Sequence, residues 1–169
     1  VVEEALRGIL PSPVEIRGRM SGELPRTGEL TPDSVRTALG LAPHATLAAS
    51  GIVVPRPPAL CQGCGHRDMY TALTEVAGEY ENAKVFSDIG CYTLGWLAPL
   101  HAIDTCVDMG ASITMAKGAA DAGQHPSVAV IGDSTFTHSG MTGLLDAVNE
   151  RADITVIISD NLTTGMTGG

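Results

Sequence analysis

Val128-Ala129-Val130-Ile131-Gly132-Asp133-Ser134 is the stretch on which the fold turns. Its small and β-branched residues run without polar alternation, as in a strand buried on both faces of a parallel sheet. A second run, Ile154-Thr155-Val156-Ile157-Ile158, has the same character and leads into Ser159-Asp160-Asn161. The two runs read as central strands, and the residues between them leave room for one crossover helix. Working outward, the pattern predicts helices at His66–Glu79, Ser112–Ala122 and Ser139–Arg151. Strands are predicted at Lys84–Asp88, Asp104–Asp108, Ser127–Gly132 and Ile154–Asp160. The result is a three-layer α/β domain with a parallel sheet.

Upstream of Arg56 the pattern is different. Residues 1–10 read as the close of a preceding domain, and Pro11 to Pro58 is a proline-rich linker holding one short helix near Thr31–Leu39. Thr31 offers that helix a cap and Pro32 its first position. Residues 1–55 hold five Arg against six carboxylates, and residues 56–169 hold five Lys or Arg against thirteen. The division is therefore 1–55, end of a domain and linker, and 56–169, the α/β domain. The chain opens on Val1 and stops within a Gly-rich run at Gly168-Gly169, so it reads as an excerpt truncated at its C-terminal side.

A net charge of −9 with no Lys/Arg cluster argues against nucleic acid as a partner. Neither a signal peptide nor a span of about 20 apolar residues is present, which argues against a membrane. Four cysteines, two of them in a Cys-x-x-Cys pair, suit a reducing cytoplasm better than a disulfide framework. Aromatic residues make up only 4% while Gly numbers 20, a composition that favours a small-molecule site over a broad recognition face.

Both apolar runs end in polar residues at the carboxyl edge of the sheet, where open α/β sheets place their ligand crevice. After Asp133-Ser134 come 25 residues (135–159), then Asp160-Asn161. Mg²⁺ takes six oxygens in near-octahedral geometry, of which one or two are carboxylates. Asp133, the side-chain carbonyl of Asn161 and the backbone carbonyl of Thr163 form a suitable set. The alternative is that Asp133 and Asp160 merely form strand-end turns.

Gly132-Asp133-Ser134, the following gap and Asp160-Asn161 together resemble the cofactor signature of thiamine-diphosphate (TPP) enzymes. Ser134 stands where the signature has a second Gly, and Asp160 where it has a first Asn. Cys61-Gln62-Gly63-Cys64-Gly65-His66 resembles the Cys-x-Gly-Cys-Gly-His opening of the cofactor region in the 2-oxoacid:ferredoxin oxidoreductases. Within that family, Leu24-Pro25-Arg26-Thr27-Gly28-Glu29-Leu30-Thr31-Pro32-Asp33 is similar to the linker of the large subunits of the indolepyruvate type. So are Asp133-Ser134-Thr135-Phe136-Thr137-His138-Ser139-Gly140 and Asp160-Asn161-Leu162-Thr163-Thr164-Gly165-Met166-Thr167-Gly168-Gly169. The likeness extends over nearly the whole chain.

The resemblance implies a Rossmann-like domain that binds TPP and Mg²⁺, with Thr164, Gly165 and Met166 closing over the diphosphate. It places the Met109-Gly110 turn and the Asp88, Gly90, Cys91 and Tyr92 turn at the cofactor, with His66 within reach of it and His138 following the metal turn. Ala116 and Gly118 are expected to let the helix after Met109-Gly110 pack tightly on the sheet. Cys61, Cys64 and Cys91 match three ligands of a four-iron cluster, with a fourth beyond Gly169. Zinc or a purely structural pair is the alternative for Cys61 and Cys64, and Cys106 reads as a small buried hydrophobe.

The implied reaction is oxidative decarboxylation of an aryl 2-oxoacid such as indolepyruvate. Coenzyme A takes the acyl group, and iron–sulfur clusters of the full enzyme pass electrons to ferredoxin. A smaller beta subunit makes it a hetero-oligomer, and the fragment is not active alone. Two other readings stand beside it: a non-oxidative TPP enzyme such as a 2-oxoacid decarboxylase or acetolactate synthase, and a cluster-binding scaffold without catalysis.

Overall fold

In a computed structural model, four parallel strands stand in the order β2-β1-β3-β4, and helices cover both faces of the sheet. The structure describes residues 2–45, 48, 50–54, 56–163 and 165. The chain divides into two units, Val1–Pro55 and Arg56–Gly169. The first holds α1 (Val2–Ile9) and α2 (Pro32–Ala38). Thr31 caps α2 by accepting from Ser34 N, and Pro32 occupies the first turn, where its missing N–H costs nothing.

The second unit contains α3 (Gly65–Ala77), β1 (Lys84–Ser87), a 3₁₀ turn (Cys91–Trp96) and β2 (Thr105–Cys106). It continues through α4 (Ala111–Asp121), β3 (Ser127–Gly132), α5 (Asp133–Thr135), α6 (Met141–Asn149) and β4 (Thr155–Ser159). Strand pairing runs Lys84 to Ser127 and Ser87 to Val130, then Val128 to Thr155 and Gly132 to Ser159.

Every residue of β3 is buried, and its side chains alternate between two cores. Val128 and Val130 join Tyr70, Val85 and Tyr92 beneath α3 and the 3₁₀ turn. Ala129 and Ile131 join Phe86, Ile113, Ala116 and Ala147 beneath α4 and α6. This is the three-layer parallel α/β arrangement read from the two apolar runs.

The details differ at four places. β4 is not a covered central strand in this chain. It is the outermost strand among the described residues, with Thr155 and Ile158 exposed and Val156 and Ile157 half-buried. β2 is only two residues long, and Asp104 just before it extends the contact with β1, its N–H donating to Val85 O at 2.8 Å. Its carboxylate accepts from Val85 N at 2.8 Å and pairs with Lys84 Nζ at 2.8 Å. The helix expected from Ser139 begins six residues earlier, directly at Asp133, and passes through a π-helical turn (Phe136–Gly140) before α6. Such widened turns are common at functional sites. Finally, Ala116 is fully buried against the sheet, but a side chain at Gly118 would meet open space. Cys106 is half-buried, and burial raises its thiol pKa.

The glycines at 110 and 118 give a paired prediction. Gly110 has φ +89°, and a Cβ there would fall 2.4 Å from Ser139 Oγ. Gly110→Ala should destabilise the protein by about 1–3 kcal/mol through backbone strain and that clash. Gly118→Ala, in the middle of α4, should instead stabilise by up to about 1 kcal/mol. Thermal unfolding of the two variants checks both signs.

Candidate cofactor and metal site

The carboxyl ends of β1, β3 and β4 converge on one cleft. β3 delivers Gly132, then Asp133 as the first residue of α5. An acid at that position meets the positive end of the helix and leaves its carboxylate at the cleft. Ser134 and Thr135 follow along the same wall, and Thr135 Oγ1 ties it to β1 by donating to Ile89 O at 3.0 Å. The turn after β1 supplies Gly90, Cys91 and Tyr92 together with Ile89.

Beyond β4 the chain makes two Asx turns in succession. Asp160 Oδ1 accepts from Leu162 N at 3.0 Å, and Asn161 Oδ1 accepts from Thr163 N at 3.2 Å. Asp160 is thus occupied in folding the loop, while Asn161, Thr163 and Gly165 line the cleft. Leu162 takes a left-handed φ of 54° between the two turns, the kind of local strain that gathers at binding sites.

Tyr92 shapes the floor. A Cβ on Gly132 would lie 2.5 Å from its ring, and one on Gly90 closer still. Glycine at both places lets the aromatic ring and two stretches of backbone occupy one small volume. Burial raises the Tyr92 phenol well above its ordinary pKa, and as an O–H it donates to Asp88 Oδ1. Tyr70, raised in the same way by burial, donates to Tyr92 O at 2.9 Å. The cleft floor is therefore held by two buried phenols in series.

Asp88 and Gly110 stand behind the cleft rather than on its lining. Asp88 is fully buried and spends its other oxygen on Ser112, accepting from Oγ at 2.6 Å and from N at 3.2 Å. Ser112 lies in the first turn of α4, so this carboxylate satisfies an otherwise unpaired helix N–H. Met109 reaches the lining, and Ser139 Oγ donates to its carbonyl at 2.9 Å. His138 is exposed beside Ser139 and does not line the cleft.

His66, in the first turn of α3, does line it and is 2% exposed. Burial lowers its pKa, opposed by the charge of Asp133. Cys61 is exposed, Cys64 is half-buried against the core, and Cys91 lies at the cleft. All are free thiols. Among the described residues no group of three or more His, Cys, Asp or Glu is assembled to hold a metal. Thr164 and Met166 lie outside the described residues.

The donor chemistry fits a hard cation and a phosphate. One carboxylate, one amide oxygen and a loop carbonyl are oxygen ligands of the kind Mg²⁺ takes, leaving positions for phosphate and water. The glycines beside them carry no side chain to keep an anion from the backbone. Enclosing about 100 Å³, the cleft falls below the roughly 300–1,000 Å³ of a complete small-molecule site.

Sequence reasoning missed Ile89, Thr135 and Ser159. Ser159 touches His66 across 93 positions of chain, and no local pattern carries such a pairing. Thr135 follows the metal turn directly, and its place in the first turn of a helix starting at Asp133 would have found it.

Residues 88–169 match the model of the thiamine pyrophosphate enzyme C-terminal TPP binding domain. The indolepyruvate oxidoreductase subunit IorA of Archaeoglobus fulgidus is 41% identical, over 91% of this chain and 27% of its own length. That of Methanothermobacter marburgensis is 41% identical over 92% of this chain and 26% of its own, and that of Thermococcus kodakarensis 44% over 70% and 20%. The chain thus spans about a quarter of the length of these relatives. No solved structure matches it. No helix among the described residues is long and apolar enough to cross a membrane.

Proposed function

We propose, from the premise that the chain belongs to the IorA family of indolepyruvate oxidoreductase subunits as their TPP-binding segment, that it forms the metal–diphosphate wall of a 2-oxoacid oxidoreductase. The convergence of Asp133 with Asn161 and Thr163 on one glycine-lined cleft carries this reading. Asp133, Asn161 Oδ1 and the Thr163 carbonyl are the oxygen ligands of Mg²⁺. Gly90, Gly132 and Gly165, with Ser134, offer close backbone approach to the diphosphate. Ile89, Cys91, Tyr92 and Met109 form an apolar wall for the cofactor's rings. When bound, TPP supplies the carbanion stabilisation that decarboxylation of a 2-oxoacid demands.

In the complete enzyme the substrate is an aryl 2-oxoacid, with coenzyme A as the acyl acceptor and ferredoxin as the electron acceptor, and iron–sulfur centres would supply the one-electron chemistry between them. A smaller partner subunit completes the cytoplasmic hetero-oligomer. Cys61, Cys64 and Cys91 are not gathered into one metal-holding group among the described residues, and no cluster is assigned to them.

The test is anaerobic reduction of a low-potential dye by the complete enzyme with TPP, Mg²⁺ and coenzyme A, comparing indolepyruvate with pyruvate. Dye reduction favouring the aryl substrate is expected. Release of CO₂ without dye reduction would move the protein to the non-oxidative TPP enzymes and leave Cys61 and Cys64 as structure.

A further inference from the structure

We infer that His66 is a positioning residue: it fixes the orientation of the Asn161 carboxamide so that Oδ1, and not Nδ2, is presented to the divalent cation. The inference rests on the metal–diphosphate reading above. Both nitrogens of the imidazole are engaged within the chain. Nδ1 lies 2.7 Å from Ser159 Oγ, and Nε2 lies 3.1 Å from Asn161 Nδ2. An amide nitrogen only donates, so Nε2 is the acceptor, and the ring proton sits on Nδ1 facing Ser159.

From the other side, Thr163 N donates to Asn161 Oδ1 at 3.2 Å. A flipped carboxamide would set its NH₂ against the Thr163 N–H and would require the other imidazole tautomer at Nε2. The Thr163 N–H selects this orientation and His66 Nε2 completes it as the acceptor for Nδ2, and only this orientation offers oxygen to a cation, since an amide nitrogen does not ligate Mg²⁺. The ring itself is confined by burial and by an edge contact with Tyr92, centroids 6.0 Å apart at 69°. With both nitrogens occupied, His66 keeps no proton or lone pair for direct contact with the cofactor. Partners that orient metal ligands in this way commonly govern affinity as strongly as 10- to 100-fold.

The test measures Mn²⁺ affinity, by electron paramagnetic resonance titration in the presence of TPP, for the full-length subunit in its complex. His66→Asn retains an amide near the Nδ1 position and leaves nothing at Nε2. His66→Gln places an amide oxygen near Nε2. Mn²⁺ binding is expected to weaken about tenfold in His66→Asn and by less than about threefold in His66→Gln.

The decisive comparison uses Asn161→Asp, whose carboxylate offers oxygen in either orientation. In that background His66→Asn should cost less than about threefold, so the two changes are strongly non-additive. An equal loss in both backgrounds would overturn the inference in favour of a merely structural histidine, as would wild-type affinity in His66→Asn. Asp133→Ala separates failure of the underlying reading. If it binds Mn²⁺ with TPP as well as the wild type does, the site itself is misassigned and the inference falls with it.

Discussion

Asp133→Ala in the full-length subunit is expected to abolish Mg²⁺-dependent TPP binding, with affinity falling on the order of 100-fold or more. Asp133 contributes the one carboxylate among the three oxygen ligands proposed, so its loss removes their formal negative charge. Fold integrity should survive. Asp133 is half-buried at the start of α5, and losing a favourable charge at a helix N-terminus costs only about 0.3–1 kcal/mol. Calorimetric titration of TPP with and without Mg²⁺ reads the effect directly. If metal-dependent binding persists in Asp133→Ala, the site assignment fails.

The same region shows what a sequence makes visible and what it hides. β3 was legible to the residue because Val128–Ile131 is apolar without alternation, and a strand with two buried faces leaves that mark. The ligand edge followed from it, since polar residues closing two such runs have one common place in a parallel sheet. The helix after Asp133 was not legible at its start. Asp133-Ser134-Thr135-Phe136-Thr137-His138-Ser139-Gly140 is poor in helix formers, yet here it is helical. Tertiary contacts account for this. Thr135 is held to Ile89, and Ser139 to Met109. Gly140 packs so tightly that a Cβ would fall 2.6 Å from Ile131.

Direction of side chains was equally hidden. Asp88 and Tyr92 belong to one turn motif at the cleft, and composition alone would send both toward a ligand. In the folded chain Tyr92 lines the cleft and Asp88 turns away beneath it. The difference comes from Ser112, 24 residues on, whose hydroxyl and N–H demand an acceptor at the start of α4. Asp160 and Asn161 divide in a similar manner. One is consumed by the Asx turn that holds Leu162, and the other reaches the cleft.

Asp88→Ala should therefore act on stability before it acts on any ligand. The carboxylate is fully buried and accepts from the Tyr92 hydroxyl, the Ser112 hydroxyl and the Ser112 N–H. Removing it leaves the Ser112 hydroxyl and N–H without their acceptor and the Tyr92 hydroxyl with only its longer bond to Ile89 O at 3.2 Å, and each unsatisfied group costs about 1–3 kcal/mol. A net loss of about 3–5 kcal/mol is expected, with a fall in melting temperature of at least about 10 °C. Asp88→Asn, which keeps one acceptor oxygen and the side-chain volume, should lose roughly half as much. Differential scanning fluorimetry of the two variants against wild type measures the contrast. If Asp88→Ala melts like the wild type while TPP binding is lost, the carboxylate belongs to the ligand after all. The expected order, Ala below Asn below wild type with Mg²⁺-dependent TPP binding retained in Asn, would make Asp88 the strut joining β1, the Tyr92 floor and the α4 N-terminus, on which the cleft geometry depends.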